Sequence, residues 1–383
     1  MSSLRVLHVS HTTEGGLRTS TYHAGMQAER GWTVAIACST DRGLDTWAGR
    51  IGAEHIPWEA KREPGAATAG EIRRLAAIVR RFDPEVVHLH SSKAGLAGRL
   101  VVRGRRPTIF QPHAWSFHAV DGAVERAALS WERWAARWAH AIVCVSHDER
   151  DRGRRAGIRA RYRVVPSAID VRSLPLATDE DRRRARSRLG LPEGPLVVCV
   201  GRLTRQKAQD VLLDAWPAVL AAVPGATVAL VGDGPEEQAL RRRGLDGVLF
   251  TGWRDDVSDW LAAADVVAIP SRWEGLPLVV LEAMALGRSV VSSAADGMAE
   301  SLGADAGEIV PLEDPPALAA ALAERLRDPA RTRAEGRAGR VRVEREFDLP
   351  QAGEAMMEVY RHVLGGSGGQ RVPPVEAQPT AAE

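Results

Sequence analysis

The sequence predicts an α/β protein of two domains, each built on a parallel sheet with helices on both faces. Its 383 residues are enough for two ordinary domains. A hydrophobic content of 45% and a charged content of 26% are those of a globular protein. Short apolar, β-branched runs alternate along the chain with longer helical patterns, and this alternation is typical of doubly wound parallel sheets.

The apolar runs that predict strands fall into two groups. The first group is Arg5–Val9, Thr33–Ala37, Val86–His90, Thr108–Gln111, Ala141–Val145 and Arg163–Val165. The second group is Leu196–Val200, Thr227–Val231, Val248–Thr251, Val266–Ile269, Ser289–Val291 and Glu308–Val310. Helical patterns between them include Glu71–Phe82, Val124–Trp138, Val211–Ala222 and Leu278–Leu286. Each group has enough strands for one sheet, so we expect two doubly wound domains.

A polar, arginine-rich stretch at Ile169–Pro195 separates the two groups and predicts the seam between the domains. We therefore place the first domain at residues 1–170 and the second at residues 171–348. Residues 349–364 have the pattern of a helix. Residues 365–383 are rich in Gly, Pro, Ser, Ala and Glu without apolar periodicity, which predicts a disordered tail.

Several classes of protein do not fit the composition. No stretch approaches the roughly 18 consecutive apolar residues of a membrane span, and the N-terminus lacks the pattern of a signal peptide. The three cysteines, Cys38, Cys144 and Cys199, lie in or beside apolar runs and have no metal-ligand spacing. Neither G-x-G-x-x-G nor the P-loop pattern occurs. We expect a cytoplasmic protein that does not bind nucleic acid.

The stretch from Glu274 to Ser293 is the most informative segment. A Gly-Leu-Pro turn separates Glu274 from an apolar helix that carries Glu282. The free N–H groups and positive dipole at a helix start suit a phosphate, and carboxylates accept hydrogen bonds from ribose or sugar hydroxyls. The segment therefore fits a nucleotide sugar. A capped core helix with one surface and one late-turn glutamate explains the same spacing.

The motifs Glu274-Gly-Leu-Pro and Glu282-Ala-Met-Ala-Leu-Gly resemble the paired-glutamate signature of family-4 retaining glycosyltransferases, which have the GT-B fold. The resemblance extends from about Leu4 to Leu364. It implies that the second domain binds a nucleotide sugar, with Glu282 on the ribose hydroxyls and Glu274, Gly275 and Leu276 near the transferred sugar. It also implies that the helix at 349–364 crosses back onto the first domain.

Two cations follow the first predicted strand of the second domain. Gly201-Arg202-Leu203-Thr-Arg-Gln-Lys207 contains Arg202 and one of the chain's three lysines, Lys207. Cations held at a strand end can stabilise a leaving diphosphate. The motif resembles the family's Gly-Arg-Leu…Gln-Lys-Gly, with Ala208 in place of the last glycine. The resemblance implies that Gly201, Arg202 and Lys207 contact the donor.

Two loops of the first domain are expected to face the same cleft. The pair Gly15-Gly16 permits close approach to a phosphate or a sugar, although a plain turn also explains it. The resemblance places Gly16 in the loop that faces the donor phosphates and the acceptor. His113 follows another predicted strand and on its own fits a structural histidine, but the resemblance places it near the reacting centre. Ala114 replaces the commoner glycine.

The block His88-Leu-His90-Ser-Ser-Lys93 follows a third strand of that domain. His88 and His90 share one face of a strand and could ligate a metal, but the sequence shows no third ligand, so we expect no metal. We favour a polar loop that lines the cleft and offers Lys93 to an acidic acceptor. The block resembles transferases that build bacterial polysaccharides on lipid carriers. The predicted acceptor-binding residues are therefore Gly15, His88, His90, Lys93 and His113.

Two more loops follow strands of the second domain. These are Gly232-Asp-Gly-Pro and Phe250-Thr-Gly-Trp253-Arg254. In the family that the chain resembles, such loops approach the nucleotide, the second one near the base. Gly232, Trp253 and Arg254 are therefore predicted to bind the donor, although simple turns explain both loops equally well.

The segment Arg99–Arg159 carries twelve arginines against six acidic residues, and Trp131, Trp134 and Trp138 are spaced along one helix face within it. A helix with an aromatic stripe and basic flanks can lie on an anionic membrane. The same stripe is typical of a helix side that faces the core. The first interpretation would place the protein peripherally on the inner face of the plasma membrane.

These patterns and the resemblance together predict a metal-independent retaining hexosyltransferase. The donor is a nucleotide sugar, with UDP expected from its frequency in the family, and the acceptor is a hydroxyl of a saccharide or lipid-linked saccharide. The predicted catalytic residues are Arg202, Lys207, Glu274 and His113. The paired carboxylates are not interpreted as a glycosidase acid/base couple. Two alternatives are a sugar-nucleotide epimerase on a similar fold and a non-catalytic nucleotide-sugar-binding protein. We expect no cofactor.

Overall fold

A computed structural model describes residues 3–11, 16–40, 48–61 and 64–365, with the backbone alone at residues 16–20. Within these ranges the strands form two parallel sheets, one of seven strands and one of six. Each sheet has helices on both faces. The predicted α/β class with two doubly wound sheets is confirmed.

The first sheet has the strand order β3-β2-β1-β4-β5-β6-β7. Its strands are β1 (Arg5–Ser10), β2 (Thr33–Cys38), β3 (Glu54–Pro57), β4 (Val86–His90), β5 (Thr108–Gln111), β6 (Ala141–Cys144) and β7 (Tyr162–Val164). Its helices are α1 (Gly16–Glu29), α2 (Thr68–Phe82), α3 (Ser91–Val102), α4 (Gly122–Ala135) and α5 (His147–Arg155). The strand order reverses between β1 and β4, and ligands of such sheets bind beyond the carboxyl ends of the strands at the reversal.

The second sheet has the order β10-β9-β8-β11-β12-β13, with its reversal between β8 and β11. Its strands are β8 (Leu196–Val200), β9 (Thr227–Val231), β10 (Val248–Gly252), β11 (Val266–Ile269), β12 (Ser289–Ser293) and β13 (Gly307–Val310). Its helices are α6 (Asp179–Leu189), α7 (Gln209–Ala222), α8 (Glu237–Arg241), α9 (Val257–Ala263), α10 (Leu278–Ala285), α11 (Met298–Leu302), α12 (Pro315–Arg327) and α13 (Pro329–Glu346).

The last helix, α14 (Leu349–Gly365), packs against the first sheet after the chain has completed the second. Met356, Val359 and Tyr360 are buried in one apolar cluster with Val6 of β1 and Val86 of β4. Two backbone hydrogen bonds join the start of this helix to the segment between the two sheets. Ile169 N donates to Phe347 O at 3.0 Å, and Leu349 N donates to Ile169 O at 3.0 Å. One face of the first sheet is therefore covered by the end of the chain.

Sequence patterns missed the edge strand β3 because only Ile56 in it is a buried apolar residue. A four-residue strand with one inward-facing hydrophobe gives no alternation to detect. The three cysteines are buried, as expected. None of the helices in the described ranges is long and apolar enough to cross a membrane. The predicted disordered tail lies, apart from Gly365, outside the described residues.

Candidate active site

An ion pair joins the two predicted donor motifs of the second domain. Lys207 Nζ donates to Glu274 Oε1 at 2.5 Å, with 22% of the lysine side chain and 7% of the glutamate side chain exposed. The loops that carry them are also joined through Gln206, whose Nε2 donates to Trp273 O at 3.0 Å. These loops follow β8 and β11, which are neighbours at the reversal of the sheet. An ammonium and a carboxylate therefore lie together where such sheets bind ligands.

Glycines allow the loops after β8, β9 and β10 to approach one another. A Cβ atom on Gly232 would lie 2.2 Å from the carbonyl oxygen of Gly201, and both residues have positive φ angles, 143° and 155°. Gly232 N also donates to Gly252 O at 2.9 Å. A larger residue at Gly232 would push these strand ends apart, whereas a Cβ atom on Gly201 would meet only the Lys207 side chain, at 3.4 Å. The converging loops present Arg202, whose side chain is exposed.

The loop after β10 holds the other two predicted donor-binding side chains. Trp253 is 48% exposed. Arg254 forms an ion pair with Asp256, with Nε donating to Oδ1 at 2.8 Å. The guanidinium of Arg254 is therefore already matched by a carboxylate two residues away.

Helix α10 begins directly after the Glu274–Leu276 turn. Pro277 stands before the first helical residue in an extended conformation, with φ −75° and ψ 128°. The helix buries Val280, Leu281 and Met284, which fixes its orientation, while Glu282 is half-buried on its less enclosed side. Glu282 and Glu274 are thus carried by one rigidly packed unit.

The first domain contributes the His113 loop. His113 and Ala114 both have positive φ angles, 52° and 88°, a conformation that glycine adopts without strain. The buried Glu149 carboxylate stabilises it by accepting from Ala114 N at 2.6 Å and Val145 N at 2.7 Å. Burial raises the pKa of Glu149 to about 7 and lowers the pKa of His113 to about 4. The His113 imidazole is therefore neutral at pH 7.

The loops of the two domains touch at Gly275. A Cβ atom on this residue would lie 3.2 Å from Ala114 N and 2.9 Å from Val145 Cγ2. Because Gly275 follows Glu274, the contact brings the Lys207–Glu274 pair close to the His113 loop. The structure thus gathers three of the four predicted catalytic residues at one place between the sheets.

Three predicted acceptor-binding residues lie inside the first domain instead. His88 and His90 are 0% and 1% exposed. Lys93 Nζ forms a buried ion pair with Glu71 Oε2 at 2.7 Å and donates to Thr68 Oγ1 at 3.0 Å. The expectation that this block lines the cleft and offers Lys93 to an acceptor is therefore wrong. The reason is that β4 is a central strand, covered by α14 on one side, and Lys93 lies on a helix that packs on α2.

Hydrogen bonds join His8 to His90 and His90 to His113, and a separate one joins His88 to Tyr360; sequence reasoning missed His8 and Tyr360. His8 Nδ1 lies 3.0 Å from His90 Nε2, and His90 Nδ1 lies 3.4 Å from His113 Nε2. His88 Nδ1 lies 2.7 Å from the Tyr360 hydroxyl on α14. The signal that could have found His8 is its place in β1, where β1 and β4 pair with His8 opposite His88.

The glycine pair of the first domain is only partly described. Gly16 is the first residue of α1, and Gly15 lies outside the described residues.

Polar contacts also fasten the two domains to each other beside the site. The Glu300 carboxylate accepts from His147 N at 2.8 Å and Asp148 N at 2.7 Å, at the start of α5. A negative charge at a helix start is favourable. Asp148 Oδ2 in turn accepts from Gly297 N at 3.0 Å, and Arg152 forms an ion pair with Asp296.

The tryptophan stripe lies between the core and the solvent. Trp134 is 45% exposed, whereas Trp131 and Trp138 are half-buried. The Arg137 guanidinium lies 4.1 Å from the centre of the Trp134 ring, and Gly104 packs on Trp138. The exposed Arg103 and Arg105 flank that glycine. One tryptophan and several arginines therefore form a continuous exposed patch, which we call the Trp134 patch.

Two protein-family models match the chain. Residues 14–173 match a family described as Glycosyltransferase Family 4, and residues 194–328 match one described as Glycosyl transferases group 1.

Relatives with assigned activities are similar to the chain. A GDP-mannose-dependent monoacylated alpha-(1-6)-phosphatidylinositol monomannoside mannosyltransferase of Corynebacterium glutamicum is 37% identical over 54% of this chain and 57% of its own length. The chain thus matches somewhat more than half of that relative. A GDP-mannose-dependent alpha-(1-6)-phosphatidylinositol monomannoside mannosyltransferase of Mycolicibacterium smegmatis is 33% identical, covering 70% of this chain and 74% of the relative.

The fold is similar to that of several solved structures. Anabaena HepE in complex with UDP and glucose superposes with a TM-score of 0.81 at 21% identity, covering 94% of this chain and 100% of that one. WaaG, a glycosyltransferase involved in lipopolysaccharide biosynthesis, gives a TM-score of 0.73 at 18% identity, with 92% and 99% covered. These likenesses confirm the predicted GT-B architecture.

Proposed function

The chain belongs to glycosyltransferase family 4, and we propose that it is a retaining enzyme that transfers a sugar from a nucleotide sugar to a saccharide or lipid-linked saccharide. The observation that best supports this is the Lys207–Glu274 contact at 2.5 Å. It holds a cation suited to a diphosphate beside a carboxylate suited to sugar hydroxyls. Both lie at neighbouring strand ends, facing a loop of the other domain.

In the proposed reaction, Arg202 and Lys207 bind the diphosphate and stabilise the charge that develops as it leaves. Glu274 accepts hydrogen bonds from the transferred sugar, and Glu282 accepts them from the ribose. The bond between the sugar carbon and the diphosphate oxygen breaks as the acceptor oxygen bonds to the same face. The proton of the acceptor hydroxyl passes to the leaving diphosphate, so no protein nucleophile is needed.

His113 serves in this proposal as a hydrogen-bonding group, not as an acid. Burial lowers the pKa of His113 to about 4, so the imidazole is neutral at pH 7 and does not act as a general acid. A neutral imidazole in the first-domain wall of the cleft can orient a sugar hydroxyl against Glu274. We propose that the acceptor enters along the same wall, over the start of α1 at Gly16.

The donor nucleotide can be tested by comparing two candidates directly. The sequence expectation was UDP, while the relatives at 37% and 33% identity are named as GDP-mannose-dependent. Because those relatives are more similar than the UDP-bound structure at 21%, we propose GDP-mannose first and UDP-glucose second. Thermal unfolding of the purified chain with each donor should show a larger rise in Tm for the true donor.

A product assay distinguishes transfer from the alternatives. Incubation with donor and a mannosylated or lipid-linked acceptor should give a glycoside whose anomeric configuration, read by NMR, matches that of the donor. An isomerised nucleotide sugar formed from donor alone would indicate an epimerase, and binding without any product would indicate a non-catalytic protein. None of the relatives named above supports the epimerase.

We further propose that the diphosphate is neutralised by Arg202 and Lys207 without a metal. Excess EDTA should then leave turnover within about a factor of two, since two protein cations supply the charge that a metal would otherwise supply. Loss of turnover that Mg²⁺ or Mn²⁺ restores would contradict this mechanism.

If the acceptor is lipid-linked, the enzyme must reach a membrane surface, and we propose that the Trp134 patch provides the contact. Each exposed arginine near an anionic bilayer contributes ~1 kcal/mol to the binding free energy, and salt screens this attraction.

Co-sedimentation with liposomes tests the patch. The chain should bind anionic liposomes at low salt, detach from them at high salt and not bind neutral liposomes. Arg103→Ser with Arg105→Ser should weaken binding. Arg106, which donates to Asp83 Oδ1 at 2.6 Å, is left intact. If the wild type does not bind anionic liposomes at low salt, the Trp134 patch is not a membrane-binding surface.

A further inference from the structure

Three buried histidines converge at the centre of the first sheet. His8, His88 and His90 each offer a ring nitrogen, and these three atoms lie within 4.8 Å of one another. All three side chains are at most 1% exposed. The group lies below the cleft and is distinct from the proposed donor site in the other domain.

Strand pairing explains why these residues meet. β1 and β4 are parallel neighbours, and His8 pairs with His88 across them. His88 and His90 are two positions apart on β4, so their side chains leave the same face. The sequence could suggest only two ligands, because the third comes from a strand about 80 positions away in the chain that becomes adjacent when the sheet forms.

Each histidine uses its other ring nitrogen for a bond that fixes the ring. His8 Nε2 is 2.9 Å from Gln27 Oε1, His88 Nδ1 is 2.7 Å from the Tyr360 hydroxyl, and His90 Nδ1 is 3.4 Å from His113 Nε2. Histidines that ligate metals are usually held in this way by a hydrogen bond from the second nitrogen.

Hydrogen bonds within the protein satisfy only some of the polar atoms in and around the histidine cluster. His8 Nδ1 and His90 Nε2 satisfy each other at 3.0 Å. Among the described residues, His88 Nε2 is buried without a hydrogen bond of ordinary geometry, and so is Gln111 Oε1 on the neighbouring strand β5, although the two side chains are close enough to interact. Leaving such buried atoms unpaired is unfavourable, because they have lost their hydrogen bonds to water. An electron-pair acceptor at this point would satisfy His88 Nε2.

We propose that His8 Nδ1, His88 Nε2 and His90 Nε2 form a binding site for a transition-metal dication, with Zn²⁺ the expected ion. Neutral imidazole suits Zn²⁺, Co²⁺ and Ni²⁺ far better than Mg²⁺. Tetrahedral zinc–nitrogen bonds of about 2.0–2.1 Å require ligand nitrogens roughly 3.3 Å apart. The 3.0 Å pair is close to this already. His88, whose ligand atom lies within 4.8 Å of the others, completes the set by rotation of its ring. Water or Gln111 Oε1 supplies the fourth ligand.

The protons balance without release to solvent. Gln27 Oε1 accepts from His8 Nε2, so His8 Nδ1 accepts and His90 Nε2 donates across the 3.0 Å contact. When the ion binds, the His90 proton moves from Nε2 to Nδ1. His90 Nδ1 then donates to His113 Nε2, so the His113 proton moves from Nε2 to Nδ1 as well. The ion thereby fixes the tautomer of His113, so the site would position this active-site side chain as well as join β1 and β4.

Metal content and affinity test the site. The full chain is prepared without a polyhistidine tag or a chelating column, and its zinc is measured by mass spectrometry. Wild type should hold one equivalent, and Co²⁺ exchange should give the visible absorption of a tetrahedral nitrogen site. His88→Gln should lose the ion. Tyr360→Phe, which keeps all three ligands, should bind ~10–100-fold more weakly, the usual cost of removing a ligand's hydrogen-bond partner.

His147→Gln is the matched control, because His147 is exposed and outside the cluster; it should bind like the wild type. Circular dichroism and nucleoside-diphosphate binding, which belongs to the other domain, report whether each variant folds. If His88→Gln fails to fold, the zinc content of the wild type and the zinc affinity of Tyr360→Phe still test the proposal. Wild type without one tight equivalent, or Tyr360→Phe and His88→Gln that bind as wild type does, would overturn the proposal.

Discussion

Arg202 and Lys207 offer the same charge in different surroundings, so their removal should have different consequences. Lys207 is paired with the buried Glu274, and removing one partner of a buried pair leaves an uncompensated charge. Arg202 is exposed at the end of the loop. We therefore expect loss of Lys207 to affect both stability and catalysis, and loss of Arg202 to affect catalysis alone.

Arg202→Ala should lower kcat by ~10²–10³, the scale of losing one preorganised stabiliser of developing charge. Its free energy of unfolding in urea should stay near that of the wild type, while Lys207→Ala should lose both activity and stability. Steady-state kinetics and urea titrations measure the two effects. Arg242→Ala, an exposed arginine elsewhere in the domain, is the control. Normal kcat in Arg202→Ala would remove this residue from the mechanism.

The close contact between α13 and the turn after α10 supports the element that carries Glu282. A Cβ atom on Gly336 of α13 would lie 1.9 Å from the backbone oxygen of Gly287. Backbone atoms cannot move aside as a flexible side chain can. Any larger residue at 336 must therefore push the two elements apart.

Gly336→Ala should destabilise the protein by about 1–3 kcal/mol, the cost of overpacking a close contact. It should also weaken donor binding, because α10 must shift with Glu282. Urea unfolding and donor-dependent thermal shifts measure both. Arg337→Ala, at the neighbouring exposed position, should change neither. An unchanged free energy of unfolding in Gly336→Ala would mean that the contact is loose.

The histidines in and around β1 and β4 are buried in their neutral form. Burial lowers the pKa of His8 to about 4 and that of His23 to about 3, and holds the pKa values of His88 and His90 well below their ordinary value. The unfolded chain binds their protons near pH 6.5. Glu149, with its pKa raised to about 7, acts in the opposite direction, favouring the folded state below about pH 7.

The free energy of unfolding should therefore be highest near neutral pH and fall as pH drops from about 6.5 towards 4, since several histidines outweigh one carboxyl. Each histidine contributes up to ~1.4 kcal/mol per pH unit within this window. Urea titrations at pH 7.5, 6 and 5 measure the slope. His23→Phe should flatten it, and His147→Gln should leave it unchanged. A wild-type free energy that rises on acidification would contradict the buried neutral state.

At the scale of the whole molecule, Glu300 makes one of the contacts that join the two domains. Its carboxylate holds two backbone N–H groups at the start of α5 in the other domain. The same side of the molecule has the Arg152–Asp296 pair. These contacts keep Gly275 against the His113 loop.

Glu300→Ala should therefore uncouple the domains without damaging either one. Donor binding to the second domain should change by less than about tenfold, the effect of ~1.4 kcal/mol, while acceptor-dependent turnover should fall more. X-ray scattering should show a larger radius of gyration. Glu193→Ala, at an exposed position away from the contact, is the control. Equal losses in donor binding and turnover would indicate damage within the second domain instead.

Apart from the edge strand β3, the sequence by itself determined which segments become strands and which polar residues follow them. An apolar run is visible in the sequence because it depends only on neighbouring residues. Parallel strands then place all their carboxyl ends at one edge of a sheet. The local pattern was therefore enough to expect Lys207 and Glu274 at one edge of the second sheet, whereas only the family resemblance placed His113 near them. The family signature identified the donor motifs in the same local way.

Only the tertiary structure decided which of those polar residues are accessible. His88 and His90 lie at the end of β4 and Lys93 follows it, much as His113 follows β5. These three residues are nevertheless buried, because α14 returns to cover β4 and because α2 brings Glu71 to Lys93. His8 meets His88 only once β1 and β4 are neighbours. Strand order, the returning helix and the contact of the two domains arise from residues far apart in the chain. A local pattern carries no record of such contacts, since their free energy exists only when the distant segments pack.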